Sequence, residues 1–118
     1  MDKRFERTKL LIGENDLENI INSKVAVIGC GGVGGFAIEA LARCGVGTLA
    51  IVDYDTIDIT NINRQIIALE DTVGNYKVDE FEKRIHKINP NCKVIKFREN
   101  FDKSAVDFFN LKDYNYVI

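Results

Sequence analysis

Between Lys24 and Asp55 the chain reads KVAVIGCGGVGGFAIEALARCGVGTLAIVDYD, with five glycines among the seven residues from Gly29 to Gly35. No other stretch restricts the fold as much. An apolar run, Val25 to Ile28, stops at the first of these glycines and a helical pattern begins at Val33, which predicts a strand, a tight turn and a helix N-terminus. Gly29, Gly31 and Gly34 keep the G-x-G-x-x-G spacing, in which missing side chains permit the turn, the approach of a phosphate and close packing of helix on strand. Gly32 belongs to the same loop. The free N–H groups and positive dipole end of the helix converge here, so an anion is expected. A second apolar run, Thr48 to Val52, ends at Asp53, where a carboxylate can accept hydrogen bonds from ribose hydroxyls. These residues predict a nucleotide site and leave open which nucleotide it takes.

The flanks extend the pattern into an α/β fold. Asp2 to Ile12 interleaves Arg4, Arg7 and Lys9 with Phe5, Leu10, Leu11 and Ile12, as a short amphipathic helix does. Leu17, Ile20 and Ile21 follow at helical spacing behind Asn15 and Asp16, either of which can cap, and suggest a second helix ending near Asn22. Val33, Phe36, Ala37, Ala40, Leu41 and Cys44 recur at intervals of three and four, a face expected to pack on the sheet before Gly45 stops the helix. Val78, Phe81, Ile85 and Ile88 mark a helix from Lys77 to Asn89, stopped by Pro90. Lys93 to Phe97 reads as a third strand, Ser104 to Phe109 as a short helix and Asn115 to Ile118 as a fourth strand. The expected architecture is a Rossmann-like three-layer fold with a parallel sheet: an N-terminal helical arm over residues 1–23 and a nucleotide-binding domain over 24–118. An apolar strand with no helix after it leaves one side of such a sheet uncovered, so a larger domain is expected.

Composition narrows the partners. Sixteen Lys and Arg against eighteen Asp and Glu give a net charge of -2, so no global basic signature points to passive coating of nucleic acid, although a local basic cleft stays possible. No apolar segment approaches the roughly 20 residues that span a bilayer, and the N-terminus lacks an apolar signal core, so a cytoplasmic protein without membrane contact is expected. Cys30, Cys44 and Cys92 contain no C-x-x-C pair and build neither a disulfide framework nor a zinc site. Cys30 sits at a helix N-terminus, where a thiol pKa can fall, but no base is paired with it in sequence. Cys44 falls on the apolar stripe and reads as core; His86 falls off its helix's apolar face and reads as solvated.

The long polar segment after the second strand, Asp53 to Asn75, breaks the βαβ rhythm and supplies Asp55, Asn61, Asn63, Arg64 and Gln65, with Lys77 following. Arg and Lys beside a glycine loop suit a triphosphate better than a dinucleotide, because Arg forks onto phosphate oxygens and Lys adds a point charge. A solvated polar loop is the plainer explanation for such a composition, and Asp55 alone can serve as a turn cap.

The combination GCGGVGG, Asp53-Tyr-Asp55, Thr60-Asn61-Ile-Asn63-Arg64-Gln65 and Thr72-Val-Gly74 with Lys77 resembles the ubiquitin-activating-enzyme-like family of ATP-dependent adenylating enzymes. The run TNINRQIIALEDTVGNYK, the later Arg84-to-Cys92 stretch and the opening RFERTKLLIG look most like its branch that dehydrates threonylcarbamoyladenosine in tRNA. The resemblance covers nearly the whole chain. It implies that a substrate carboxylate attacks the α-phosphate of ATP to give an acyl adenylate, here on a tRNA base. It implies that Asp53 binds the ribose, that the glycine loop approaches the nucleotide, and that Asn61, Arg64 and Lys77 hold the phosphates, with Asp55 and Gln65 beside them. Arg7 matches an arginine that reaches into the site of a homodimer partner in that family. Mg2+ is implied with ATP, its associated aspartate falling beyond the fourth strand. The alternatives are a sulfur-carrier adenylyltransferase of the same family, a nicotinamide-dependent oxidoreductase, and a non-catalytic ATP-binding or dimerisation module.

Overall fold

The computed structural model describes residues 2–100 and 110–118. Four strands, β1 (Lys24–Ile28), β2 (Thr48–Val52), β3 (Lys93–Phe97) and β4 (Tyr116–Val117), form one parallel sheet in the order β3-β2-β1-β4. The centre of β1 and nearly all of β2 are buried, as near-continuous apolar strands must be when both faces are covered, whereas Lys93 and Lys96 keep β3 polar at the sheet edge. The fourth strand is shorter than the sequence suggests, although its pairing continues outward: Asn115 N donates to Lys24 O at 2.7 Å and Ile28 N to Ile118 O at 2.9 Å. Parallel registers Ile28↔Val52 and Val52↔Phe97 bring the carboxyl ends of three strands to one edge. The chain leaves β1 outward through β2 and β3, then returns to β1's other side as β4, and ligands of such sheets bind where that reversal opens a crevice.

Helix α3 (Gly32–Cys44) connects β1 to β2, and α4 (Lys77–Ile88) connects β2 to β3, the two packing against each other on one face. For α4 the expected apolar face holds: Val78, Phe81 and Ile85 are buried and Ile88 packs against the core, while His86 is exposed. For α3 it does not. Its buried residues are Gly35, Ile38 and Ala42, whereas Val33 is 85% and Phe36 56% exposed, and Ala40 and Cys44 also face outward. The cause is the glycine pair: a Cβ on Gly34 would lie 1.8 Å from Gly29 O, and one on Gly35 3.0 Å from the Phe81 ring, so the glycine side is the one that approaches the strand and α4. That contact turns the larger apolar side chains out.

Before the sheet come a single 3-10 turn (Lys3–Phe5), α1 (Glu6–Ile12) and α2 (Glu14–Ile21). Neither Asn15 nor Asp16 caps α2; its N-cap is Gly13, at φ 88°, and its start lies earlier than those residues. Phe5 is buried against Gly45, which terminates α3 in the left-handed region (φ 99°), and Arg4 Nε donates to Ile88 O at 3.1 Å. These contacts seat the arm at the amino ends of β2 and β3, opposite the glycine loop. The short helix expected over Ser104 to Phe109 lies outside the described residues, as do positions 101–103 before it. Among the described residues no helix is long and apolar enough to cross a membrane.

Candidate functional site

The glycine loop leaves β1 through Gly29, whose φ of 91° is a conformation side-chain-bearing residues seldom adopt and whose N–H donates to Val52 O at 2.7 Å. Asp53 then fastens the loop from the neighbouring strand end. Its Oδ2 accepts from Cys30 N and its Oδ1 from Asp55 N, both at 2.8 Å, so one carboxylate ties the loop to the start of the polar insertion. Each oxygen keeps a second lone pair for a hydroxyl donor. Beyond Gly31 the first amides of α3 have no carbonyl within the helix to donate to, and a Cβ on Gly32 would meet nothing within 4 Å, so the helix N-terminus is open to an anion.

A cavity of about 230 Å³ lies at this edge, lined by Ile28, Gly29, Val52, Asp53, Tyr54, Asp55, Glu99 and Asn100. It is smaller than the roughly 300–1,000 Å³ of sites that enclose a drug-sized ligand. A nucleoside can enter it while its phosphates cross the glycine loop. Tyr54, Glu99 and Asn100 are lining residues that sequence reasoning missed. The signal was present in the register: Phe97 ends β3 where Val52 ends β2, so the residues just after each are neighbours.

The insertion folds over the loop through hydrogen bonds rather than through a regular helix. Asp58 N donates to Asn61 Oδ1 at 2.9 Å and Asp58 caps the 3-10 turn Ile59–Asn61, while Thr72 Oγ1 donates to Ile67 O at 2.8 Å. Thr56 bridges Tyr76, and Lys77 N donates to Asp55 O at 3.1 Å. The side chain of Asn61 is thus turned into its own loop, and Arg64, exposed, donates from Nη1 to Thr60 O and Asn63 Oδ1.

Two buried polar side chains in this region have little to bind. Lys77 is only 5% exposed, and its Nζ has one carboxylate partner among the described residues, Asp55 Oδ2 at 4.0 Å, beyond hydrogen-bond range. Gln65 is 8% exposed; its Nε2 lies 3.6 Å from where a Gly31 Cβ would be, and its Oε1 is buried without a hydrogen-bond partner. A buried ammonium with so loose a counter-charge near a helix N-terminus fits a phosphate-bearing ligand, because burial without a partner is costly. The orphaned Gln65 Oε1, by contrast, is an acceptor that calls for a hydroxyl or amino donor and leaves only Nε2 able to donate to a phosphate. Cys30 has no place in that chemistry. It is fully buried, and burial, then the nearby Asp53 charge, push its thiol up to about 12 against the opposing pull of Lys77, so it is no nucleophile at neutral pH.

Of the residues singled out by sequence, the structure gathers Gly29, Gly31, Gly32, Asp53, Asp55, Gln65 and Lys77 about one edge, uses Gly34 for packing, and sets Asn61 and Arg64 in the adjoining loop. Arg7 is not among them. It is exposed and follows Phe5, which packs against Gly45 ahead of β2, by two residues, so its Cα stays within roughly 7 Å of that of Phe5, on the arm at the amino ends of the strands. Among the described residues no group of three or more His, Cys, Asp or Glu converges to hold a metal ion.

The ThiF family profile matches residues 5–118. The tRNA threonylcarbamoyladenosine dehydratase of Bacillus subtilis (strain 168) is 50% identical over 115 residues, which are 98% of this chain and 45% of that protein. The crystal structure of the Escherichia coli tRNA N6-threonylcarbamoyladenosine dehydratase in complex with ATP superposes with a TM-score of 0.95 at 40% identity, over 98% of this chain and 47% of that one. The adenylyltransferase and sulfurtransferase UBA4 of Vanderwaltozyma polyspora is 38% identical over 113 residues, 96% of this chain and 25% of that protein. The chain spans about half the length of the dehydratases it matches.

Proposed function

The chain belongs to the ThiF family, and we propose that it forms the ATP-binding half of a cytoplasmic enzyme that adenylates a carboxylate, namely the threonylcarbamoyl group of a modified tRNA adenosine, which is dehydrated to its cyclic form. The observation that carries the nucleotide part of this reading is the buried, loosely paired Lys77 ammonium near the open N-terminus of α3; the choice of carboxylate rests on the likeness to the tRNA dehydratases. A nicotinamide cofactor also carries a diphosphate for Lys77 to hold, so it is the ThiF family match rather than the lysine that disfavours an oxidoreductase.

ATP when bound supplies an α-phosphate that the substrate carboxylate attacks; the bond to the β-phosphate breaks, pyrophosphate leaves, and cyclisation later expels AMP carrying the carboxylate oxygen. Asp53 accepts from the ribose while fixing the loop. The α3 amides and Lys77 hold the phosphates, joined by Arg64 and the amides of Asn61 and Gln65. With no protein nucleophile, the rate depends on positioning and on charge held ready for the transition state. Mg2+ would be held mainly by the nucleotide rather than by the protein, since among the described residues no group of three or more His, Cys, Asp or Glu converges to hold it, and it would supply charge neutralisation. Arg7, which the family resemblance matches to an arginine reaching into a partner's site, would serve a neighbouring subunit's site in a homodimer, a role compatible with its place on the arm away from the glycine loop.

The test has two parts. The purified protein should exchange pyrophosphate into ATP only when tRNA bearing threonylcarbamoyladenosine is supplied, and Lys77→Ala should abolish exchange. Mass spectrometry of tRNA from a strain lacking the gene should show the cyclic base gone; unchanged cyclic base removes the tRNA assignment. Exchange driven instead by the C-terminal glycine of a ubiquitin-like protein would favour the sulfur-carrier reading that the likeness to UBA4 supports.

A further inference from the structure

Arg98 stands outside the residues considered so far, and its contacts converge on Lys77. It follows β3 as Asp53 follows β2, since Val52 pairs with Phe97. Its guanidinium carbon lies 4.3 Å from the centroid of the Tyr76 ring, and its Nη2 donates to Asp79 Oδ2 at 2.8 Å. Tyr76 immediately precedes Lys77 and Asp79 follows it by two, so one side chain grips α4 on both sides of the buried lysine. Lys96 Nζ donates to the other Asp79 oxygen at 3.0 Å. Burial works to raise the Asp79 carboxyl, but Lys96 and Arg98 outweigh it and hold the group below its ordinary value. In the other direction along the chain, Glu99 and Asn100 line the cavity.

The geometry points to Arg98 as a positioning residue that clamps the first turn of α4 to the carboxyl end of β3 and so aligns the Lys77 ammonium with the nucleoside cavity. The inference rests on the nucleotide-site reading above and is independent of which carboxylate is activated. Without Arg98 the first turn of α4 keeps the Lys96–Asp79 ion pair and the burial of Val78 and Phe81, but Tyr76 and the backbone of Lys77 are then tied only to the insertion, through the Thr56–Tyr76 bridge and the Lys77 N to Asp55 O bond. Arg98's side chain is 52% exposed, so its ion pair contributes little to overall stability. Its effect is on placement, and small misplacements of a charge at a phosphate site are felt strongly in binding and rate. Stacking on Tyr76 adds a geometric constraint that a lone ion pair lacks.

Calorimetric titration of the protein with adenosine and with ATP tests this, using Arg98→Ala, Arg98→Lys, Lys77→Ala and the Arg98→Ala/Lys77→Ala double variant. Arg98→Ala should weaken ATP about three- to tenfold, the worth of one or two exposed contacts of this kind, while adenosine affinity and melting temperature barely move. Arg98→Lys, which keeps the charge, should recover part of the loss. On a Lys77→Ala background Arg98→Ala should have no further effect, because its action passes through that lysine. Effects that multiply in the double variant, or an equal loss for adenosine and ATP, overturn the clamp and leave the nucleotide reading standing. A wild type that binds no ATP, or Lys77→Ala binding it unimpaired, removes the nucleotide reading and the clamp together, and is recognised before any Arg98 variant is compared.

Discussion

Along the glycine loop the backbone is held by close contact between main-chain atoms, whereas the facing segment from Asp53 to Lys77 is held by hydrogen bonds from side chains to backbone. Gly34 lies so near Gly29 that a single methyl group would collide with its carbonyl. Across the site, Asp53, Asp58, Asn61 and Thr72 each satisfy main-chain groups that no regular helix or strand provides for. The first wall is therefore steep toward added volume and indifferent to chemistry, and the second is the reverse. A ligand that touches both meets a rigid anion cradle on one side and adjustable polar groups on the other.

The sharpest break comes at Gly34. Gly34→Ala places its Cβ 1.8 Å from a backbone oxygen, and urea denaturation should show a loss of about 3 kcal/mol. Gly32→Ala, two residues earlier with open space around it, should leave stability unchanged or raise it by up to about 1 kcal/mol, yet weaken ATP binding if a phosphate lies against that position. Equal stability losses for the two would show that the loop is not held by close contact.

On the polar wall, Asp53→Ala removes two charge-assisted hydrogen bonds and should cost about 2 kcal/mol in the same assay, with ATP affinity falling too. Gln65→Leu separates folding from binding more cleanly. It replaces an amide whose Oε1 has no partner, so stability should stay within about 0.5 kcal/mol of wild type or increase, while ATP affinity falls about three- to tenfold. A destabilised Gln65→Leu protein with full affinity would mean that the amide serves the fold and not the ligand.

The smallest effect lies away from both walls, where Arg84 pairs with Glu39 between α4 and α3 at 2.6 Å. The Arg84 hydrogen bond, opposed by burial, holds the Glu39 carboxyl below its ordinary value. A lowered carboxylate pKa contributes stability that is fully present above the unfolded value, about 4.3, and is lost as pH falls through the folded one. Arg84→Met should therefore cost about 1 kcal/mol at pH 7, with the difference from wild type shrinking as the pH is lowered below 4.

The contrast between the walls also explains what could be read in advance. Gly29 and Gly34 announce themselves because a left-handed turn and a main-chain contact admit only glycine, and Asp53 is found by counting from a strand end. The outward face of α3 was misjudged because periodicity ranks Val33, Phe36 and Cys44 above glycine, and only the contact at Gly34 reveals which side must approach the strand. The orphaned Gln65, the cavity residues Tyr54, Glu99 and Asn100, and the grip of Arg98 on α4 carry no local signature, since each depends on a partner far along the chain.

By itself the sequence determined the parallel sheet, the glycine turn, the anion-binding helix N-terminus and the family likeness, because these follow from short-range sterics and strand-helix alternation. The tertiary structure alone decided which polar side chains are buried without partners, that Arg7 lies at the edge away from the glycine loop, and that Arg98 reaches both sides of Lys77. Those facts depend on strand register and on how an irregular loop satisfies its backbone, and neither is encoded within any single stretch of the chain.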